Sequence, residues 1–414
     1  MVCSCSTRDI TQYEIKNWQN FRLTRHIPCN RKYRFIVFQP YSKPKSGMTS
    51  ILQKFRINIE CIFILSLITL WTSIKAQEKQ GEKYADAYKK YLNATCPITK
   101  DSIQHFVYFS RDREAIIDHP LLFHPMFKGA QIMYSWKDFE PQKGQYDFSI
   151  LKQDYEYLKK FNKKIFLQLQ DATFNPRYKA IPDYLFTDEY NGGATLQYND
   201  SGKPDGWVAK RWNKKVRERF ALLLQALGKE YDGKIEGINL QETAIGVSSK
   251  TDSGFSEQGY IEGLKANMLA LKKSFPNSTT MIYANFTPGE WLPWDDKGYL
   301  RSLYQYGEEI GVGLGGPDLM VTRKGQLNHA FTFMHERHYT VPIGIAIQDG
   351  NYIGKTGADI DYDEKDNRKK KSRQNLVPLL HAFAKDFLRV KYMFWANQVP
   401  YFKMDVLPCF SKDK

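Results

Sequence analysis

Between Lys214 and Tyr231 the apolar residues Val216, Phe220, Leu223, Leu224, Leu227 and Tyr231 recur at helical spacing. Asp232-Gly233 breaks the pattern, and 235–241 continues as an apolar, β-branched run. A helix with one stripe to bury, joined by a short turn to a strand hydrophobic on both faces, cannot stand alone. The strand needs neighbours on either side, and the helix needs a sheet beneath it. The run closes on Asn239, Gln241 and Glu242, so polar groups arrive just as the buried character ends. In parallel barrels built from such units, chemistry sits at the carboxyl ends of the strands, where a carboxylate such as that of Glu242 faces a cleft.

The unit recurs along the chain. Strands are expected at Phe127–Ser135, Lys164–Gln170, a weaker one near 206–211, then 235–241, 279–285, 312–314, 343–348 and 390–396. Helices are expected between them at 149–161, 214–231, 259–274, 299–310, 325–335 and 376–387. This alternation predicts an α/β fold, a single (β/α)8 TIM barrel over 101–414. A doubly wound open sheet is the alternative, but no glycine-rich phosphate turn supports it.

Ahead of the barrel, 48–76 reads as a signal peptide. Lys54 and Arg56 give a positive start, Cys61 to Trp71 an apolar core of 11 residues, and Ser73 to Ala76 a small-residue exit with cleavage near Ala76-Gln77. The run is short for a bilayer, so a secreted or periplasmic protein with no membrane contact beyond the signal peptide is expected. Residues 1–47 lack periodicity and read as an unstructured upstream extension, with Met48 as the functional initiator. Residues 77–100 form a polar lead-in carrying Tyr84, Tyr88 and Leu92 four apart.

The formal charge of +15 invites a nucleic-acid partner, but residues 1–76 hold 12 Lys/Arg against 3 Asp/Glu. That leaves 48 against 42, a net +6, for the rest, which carries no nucleic-acid motif, so none is expected as partner. Four of the six cysteines fall in the leader region. Cys96 and Cys409 remain, flanking the whole predicted barrel, and closure would bring them together as a disulfide; two unrelated buried thiols are the alternative. Residues 354–373 interrupt the rhythm with Asp359, Asp361, Asp363, Glu364 and Asp366 followed by Arg368 to Lys371, a rim loop or simply a solvated one.

Gly129 to Ser149 reads G-A-Q-I-M-Y-S-W-K-D-F-E-P-Q-K-G-Q-Y-D-F-S. It resembles the W-x-x-x-E-P-x-x-G-x-Y-D-F element that follows the first strand in clan A glycoside hydrolases, particularly β-galactosidase-type and xylanase-type barrels. Glu140-Pro141 and Gly144 would shape the loop while Trp136, Tyr146 and Phe148 pack. The resemblance implies a glycosidase cleaving a β-linked oligo- or polysaccharide without a cofactor. It also implies an acid/base Glu ending the fourth strand after an Asn and a nucleophile Glu ending the seventh. Glu242 takes the first position, preceded by Gln241 where the family has Asn, and the seventh strand offers Asp349 in place of Glu.

Glycosidic cleavage needs one carboxylic acid to protonate the leaving oxygen and a second carboxylate to attack or to activate water. A carboxyl separation of about 5–5.5 Å suits retention and about 6.5–9.5 Å inversion. Glu290 and Asp318 rival Asp349 for the second role, and the alternative for Glu242 is a structural Glu bonded to Arg211. Gln131, Gln170, Asp171, Arg211, Asn239, Gln241, Asn285, Glu290, Trp291, Asp318 and Gln348 are the expected substrate contacts at or near strand ends. The resemblance adds Trp395 as an eighth-strand platform beneath the sugar.

No metal site is expected, since the histidines form no H-E-x-x-H and His335 and His338 have nothing to complete a triad. A barrel without a properly spaced carboxylate partner would be a non-catalytic glycan-binding protein.

Overall fold

The structure, a computed structural model, describes residues 81–354, 356 and 376–410. The expected extension 1–47, the signal peptide 48–76 and nearly all of the charged stretch 354–373 lie outside the described residues.

Ten strands are present among the described residues. Eight close a parallel barrel: β1 (Gln104–Tyr108), β2 (Phe127–Ser135), β3 (Lys164–Gln170), β6 (Gly237–Leu240), β7 (Thr279–Tyr283), β8 (Gly313–Gly316), β9 (Ile343–Ile347) and β10 (Tyr392–Ala396). β1 pairs with both β2 and β10 and so shuts the ring. The expected (β/α)8 architecture is therefore present, with two of its strands reassigned. The segment near 206–211 is not a barrel strand; β5 (Pro204–Ala209) pairs antiparallel with β4 (Ala194–Tyr198) in a hairpin beyond the end of β3. The strand that takes its place in the ring is β1, which is short, begins with Gln104 and His105, and is followed by 3-10 turns at Arg113–Ile116 and Pro120–Leu122 in place of an amphipathic helix. One strand leaves the ring and another enters it ahead of β2, so Glu242 still follows the fourth barrel strand and Asp349 the seventh. The W-x-x-x-E-P element, however, follows the second strand rather than the first.

The barrel interior is filled from below by Phe106, Phe166, Tyr392 and Phe394, whose rings meet at 5.0–6.2 Å. Glycines on neighbouring strands make room for them. A Cβ on Gly237 would lie 2.7 Å from the Phe166 ring, and one on Gly344 would lie 3.3 Å from the Phe394 ring. Above this layer Gln131 donates to Asn239 Oδ1 (2.9 Å) and to the Tyr283 hydroxyl (2.8 Å), a polar floor beneath the mouth.

Helices pack outside as the apolar stripes require. Lys214–Tyr231 is capped by Asn213, which accepts from Lys215 N at 2.9 Å, and buries Val216, Phe220, Leu223, Leu224, Leu227 and Tyr231. The helix expected at 325–335 is two pieces, Lys324–Asn328 and Ala330–Glu336, broken at His329, whose Nε2 accepts from Leu292 N. In the sequence element, Trp136 Nε1 and Gly144 N both donate to the fully buried Glu140, and Arg219 neutralises it. Its residue types are thus those needed to hold a tight turn over the barrel top.

Cys96 and Cys409 are joined, with Sγ–Sγ 2.02 Å and a sequence separation of 313. The bond ties the segment before β1 to the one after β10, at the seam where the ring closes. Cys409→Ser is expected to lower unfolding free energy by about 2–4 kcal/mol because the open chain regains loop entropy. Denaturant midpoints measure it, and wild-type protein in reductant should fall to the variant's value.

Candidate active site

At the carboxyl ends of the barrel strands lies a cavity of about 540 Å³. Seven of the residues expected from sequence line it: Gln170, Gln241, Glu242, Asn285, Asp318, Gln348 and Asp349. Each stands at or just past the end of its strand, where main-chain pairing stops and the side chain turns towards the mouth.

Glu242 follows β6, and Asn285 Nδ2 donates to its Oε2 at 2.7 Å. The residue is part of the cavity lining. Burial pushes the pKa up to about 8, and the nearby charge of Asp318 adds to the rise, while Asn285, Arg211 and Arg323 oppose it. Glu242 is therefore a carboxylic acid, not a carboxylate, near neutral pH. Asp318 is also raised by burial, opposed by Asn351 Nδ2, which donates to it at 2.8 Å, and by Arg323. Asp349 lies on the same lining, between the loops after β8 and β10. Gln170 Oε1 and Gln241 Oε1 are buried acceptors with no protein donor among the described residues, an arrangement that suits hydroxyl groups of a ligand.

The other expected contacts lie elsewhere. Asp171 and Arg211 form a buried ion pair, 2.8 Å from Nε and 2.6 Å from Nη2. Arg211 Nη1 donates to the Glu242 main-chain carbonyl (2.9 Å) and to the Tyr260 hydroxyl (2.8 Å). Burial alone would lower the Arg211 pKa, but Asp171 and Tyr260 hold it above its ordinary value. Arg211 thus supports the Glu242 backbone and does not neutralise its carboxylate. Gln131 and Asn239 are used in the polar floor.

Glu290 is buried away from the cavity, where Thr287 Oγ1 and Leu300 N donate to its Oε2, so it caps the helix Tyr299–Ile310. Glu290→Ala is expected to cost about 1–2 kcal/mol of stability by analogy with lost caps, with turnover within about threefold of wild type. A thermal melt and a rate at saturating substrate measure the two. Trp291 is half-exposed beside the site and stacks on Phe286, a lining residue, at 5.8 Å.

Trp395 is not a platform. It is fully buried, donates from Nε1 to His105 Nδ1 at 3.2 Å and packs on Phe410, because the inward face of β10 belongs to Tyr392, Phe394 and Ala396.

Lining residues not anticipated from sequence include Tyr108 and Arg111, which follow from the unexpected strand β1, Asp205 from the hairpin, and Phe174, Phe286 and Arg323 from loops. Phe174 carried a legible signal, an aromatic directly past a Gln-Asp strand end. Arg111 and Arg323 carried none.

Away from the cavity, Asp101, His105 and His381 converge, with ligand-capable atoms within 4.8 Å. Trp395 is a pure donor to His105 Nδ1, so neutral His105 carries its proton on Nε2, the atom aimed at the cluster. In that tautomer it cannot ligate a metal, and the group reads as packing where the barrel closes.

No protein-family model matches the sequence, and no curated protein matches it. Among solved structures the chain is similar to the catalytic domain of β-amylase from Paenibacillus polymyxa, with TM-score 0.47 and 9% identity over 73% of this chain and 93% of that one. It is similar to a family 10 glycoside hydrolase from Paenibacillus barcinonensis, with TM-score 0.43 and 13% identity over 77% and 89%. It is also similar to xylanase 10B from Thermotoga petrophila, solved with xylobiose, with TM-score 0.43 and 12% identity over 71% and 82%. These likenesses concern fold only, and the barrel stands on its own strand order.

Proposed function

We propose that the protein is a secreted or periplasmic glycoside hydrolase that cleaves a β-linked glycan, with Glu242 as the acid. The observation that carries the proposal is a carboxyl held by Asn285 at the mouth of a barrel, in a cavity that also holds two aspartates, with burial raising its pKa. Glu242 gives its proton to the glycosidic oxygen as the bond to the anomeric carbon breaks. Asp349, at the end of the seventh barrel strand, attacks that carbon or takes the proton of an attacking water. Asn285 fixes the Glu242 carboxyl, and Gln170 and Gln241 accept from sugar hydroxyls.

A second reading exchanges Asp349 for Asp318, because Asp318 is the acid whose charge acts most on Glu242. An acid near enough for its charge to hold the proton on Glu242 is placed as the partner carboxyl must be. The signal-peptide pattern and the disulfide support the compartment.

The test is release of reducing sugar from a panel of plant and bacterial polysaccharides by wild-type protein, by Asp349→Asn and by Asp318→Asn. Turnover by wild type that collapses in one Asp variant assigns the partner. Binding by the wild-type protein with every panel member left intact would favour a non-catalytic glycan-binding barrel.

A further inference from the structure

Two guanidinium groups face the cavity that holds Glu242: Arg111, past the end of β1, and Arg323, past the end of β8. Around the ring, Glu242 on the β6 loop is two strands from β8 and three from β1, and β1 is three from β8, so the three side chains divide the mouth between them. Both arginines are exposed. Neither guanidinium has a hydrogen bond or ion pair to a described residue, although the aspartates lie on the same lining and the charge of Arg323 is felt by Glu242 and Asp318.

Arg111 is held in place another way, its guanidinium 4.2 Å from the centre of the Tyr178 ring. Stacking fixes the plane of the group while leaving its N–H edge free, which cuts the ordering needed when an anion docks. A neutral sugar needs none of this, since its hydroxyls are served by amides such as Gln170, Gln241 and Asn285. Guanidinium forks match planar or tetrahedral oxyanions. An anion deep in the cavity would meet Asp318 and Asp349, so the charged substituent belongs at the rim, where the forks reach it first.

We infer that the glycan taken by this site is anionic, carrying a carboxylate or a sulfate ester that Arg111 and Arg323 bind. The inference rests on the glycosidase reading for the sugar, but not on turnover.

Affinity electrophoresis of the Glu242→Gln protein tests it, in gels containing glucuronoxylan, keratan sulfate (sulfated, without uronic acid), or unsubstituted xylan. Retardation is expected in the glucuronoxylan gel, the keratan sulfate gel or both, and which one names the anion. It should fall as salt rises and weaken by about tenfold or more in Arg111→Gln with Arg323→Gln. A thermal melt matching the parent shows that the double variant is folded. Equal retardation by xylan, undiminished affinity in the folded double variant, or no retardation by any anionic glycan overturns the inference. Wild-type cleavage of xylan unaffected by the arginine changes would overturn it while leaving the hydrolase standing. Salt-sensitive, arginine-dependent binding to an anionic glycan that the wild type never cleaves would do the reverse.

Discussion

Glu242→Gln is expected to lower turnover by about 10²- to 10⁴-fold, the contribution of a positioned acid, while glycan affinity stays within a few-fold of wild type. Gln keeps the shape and can still meet Asn285, but has no proton to give. The wild-type rate should fall as pH rises through about 8, where Glu242 loses its proton, and that alkaline limb should vanish from the residual rate of the variant. Stability runs the same way. The folded-state pKa lies above the unfolded value, so the native state binds the extra proton between the ordinary carboxyl value of 4.5 and about 8, and stability declines across that window. Glu242→Gln should therefore gain in melting temperature over wild type at pH 9 and gain little at pH 4. A rate profile and melts at the two pH values measure both effects.

Arg211→Ala is expected to destabilise the fold by about 3–5 kcal/mol, because it leaves Asp171 ionised and buried without its partner. The side chains of the pair are 3% and 5% exposed, so water cannot take over the lost bonds. The change also strips a donor from the Glu242 main-chain carbonyl and from Tyr260, so the folded fraction should lose activity as well. Removing both charges together, as Asp171→Asn with Arg211→Met, should cost less than Arg211→Ala alone. Denaturant midpoints of the two variants decide it. A double variant less stable than the single one would mean that the pair contributes more than the burial cost it offsets.

Fold and site differ in how much of them the sequence carries. Seven barrel strands announce themselves as apolar runs, and β2 and β3 match their expected bounds residue for residue. β1 is silent because its five residues begin polar and its partner elements are 3-10 turns, so nothing local marks it as buried. The hairpin strand β5 imitates a barrel strand because Trp207 and Val208 pack under a loop. Glu242 was legible because a carboxylate directly after a buried strand has few other reasons to be there.

Arg211 and Glu290 show the limit of that logic. Polar residues near the same rim also lock loops and cap helices, and only partners distant in sequence, Asp171 for one and Leu300 N for the other, tell which. Trp395 failed because strand alternation puts neighbouring residues on opposite faces, and no sequence signal says which face looks inward.

Cleavage in ¹⁸O-labelled water, with products read by mass spectrometry, tests the central claim most directly. Hydrolysis by Glu242 and its partner carboxylate predicts one labelled oxygen at each new reducing end, and none above background with Glu242→Gln. Unlabelled products bearing a double bond, transferred products without label, or intact glycan that is nonetheless bound would contradict it.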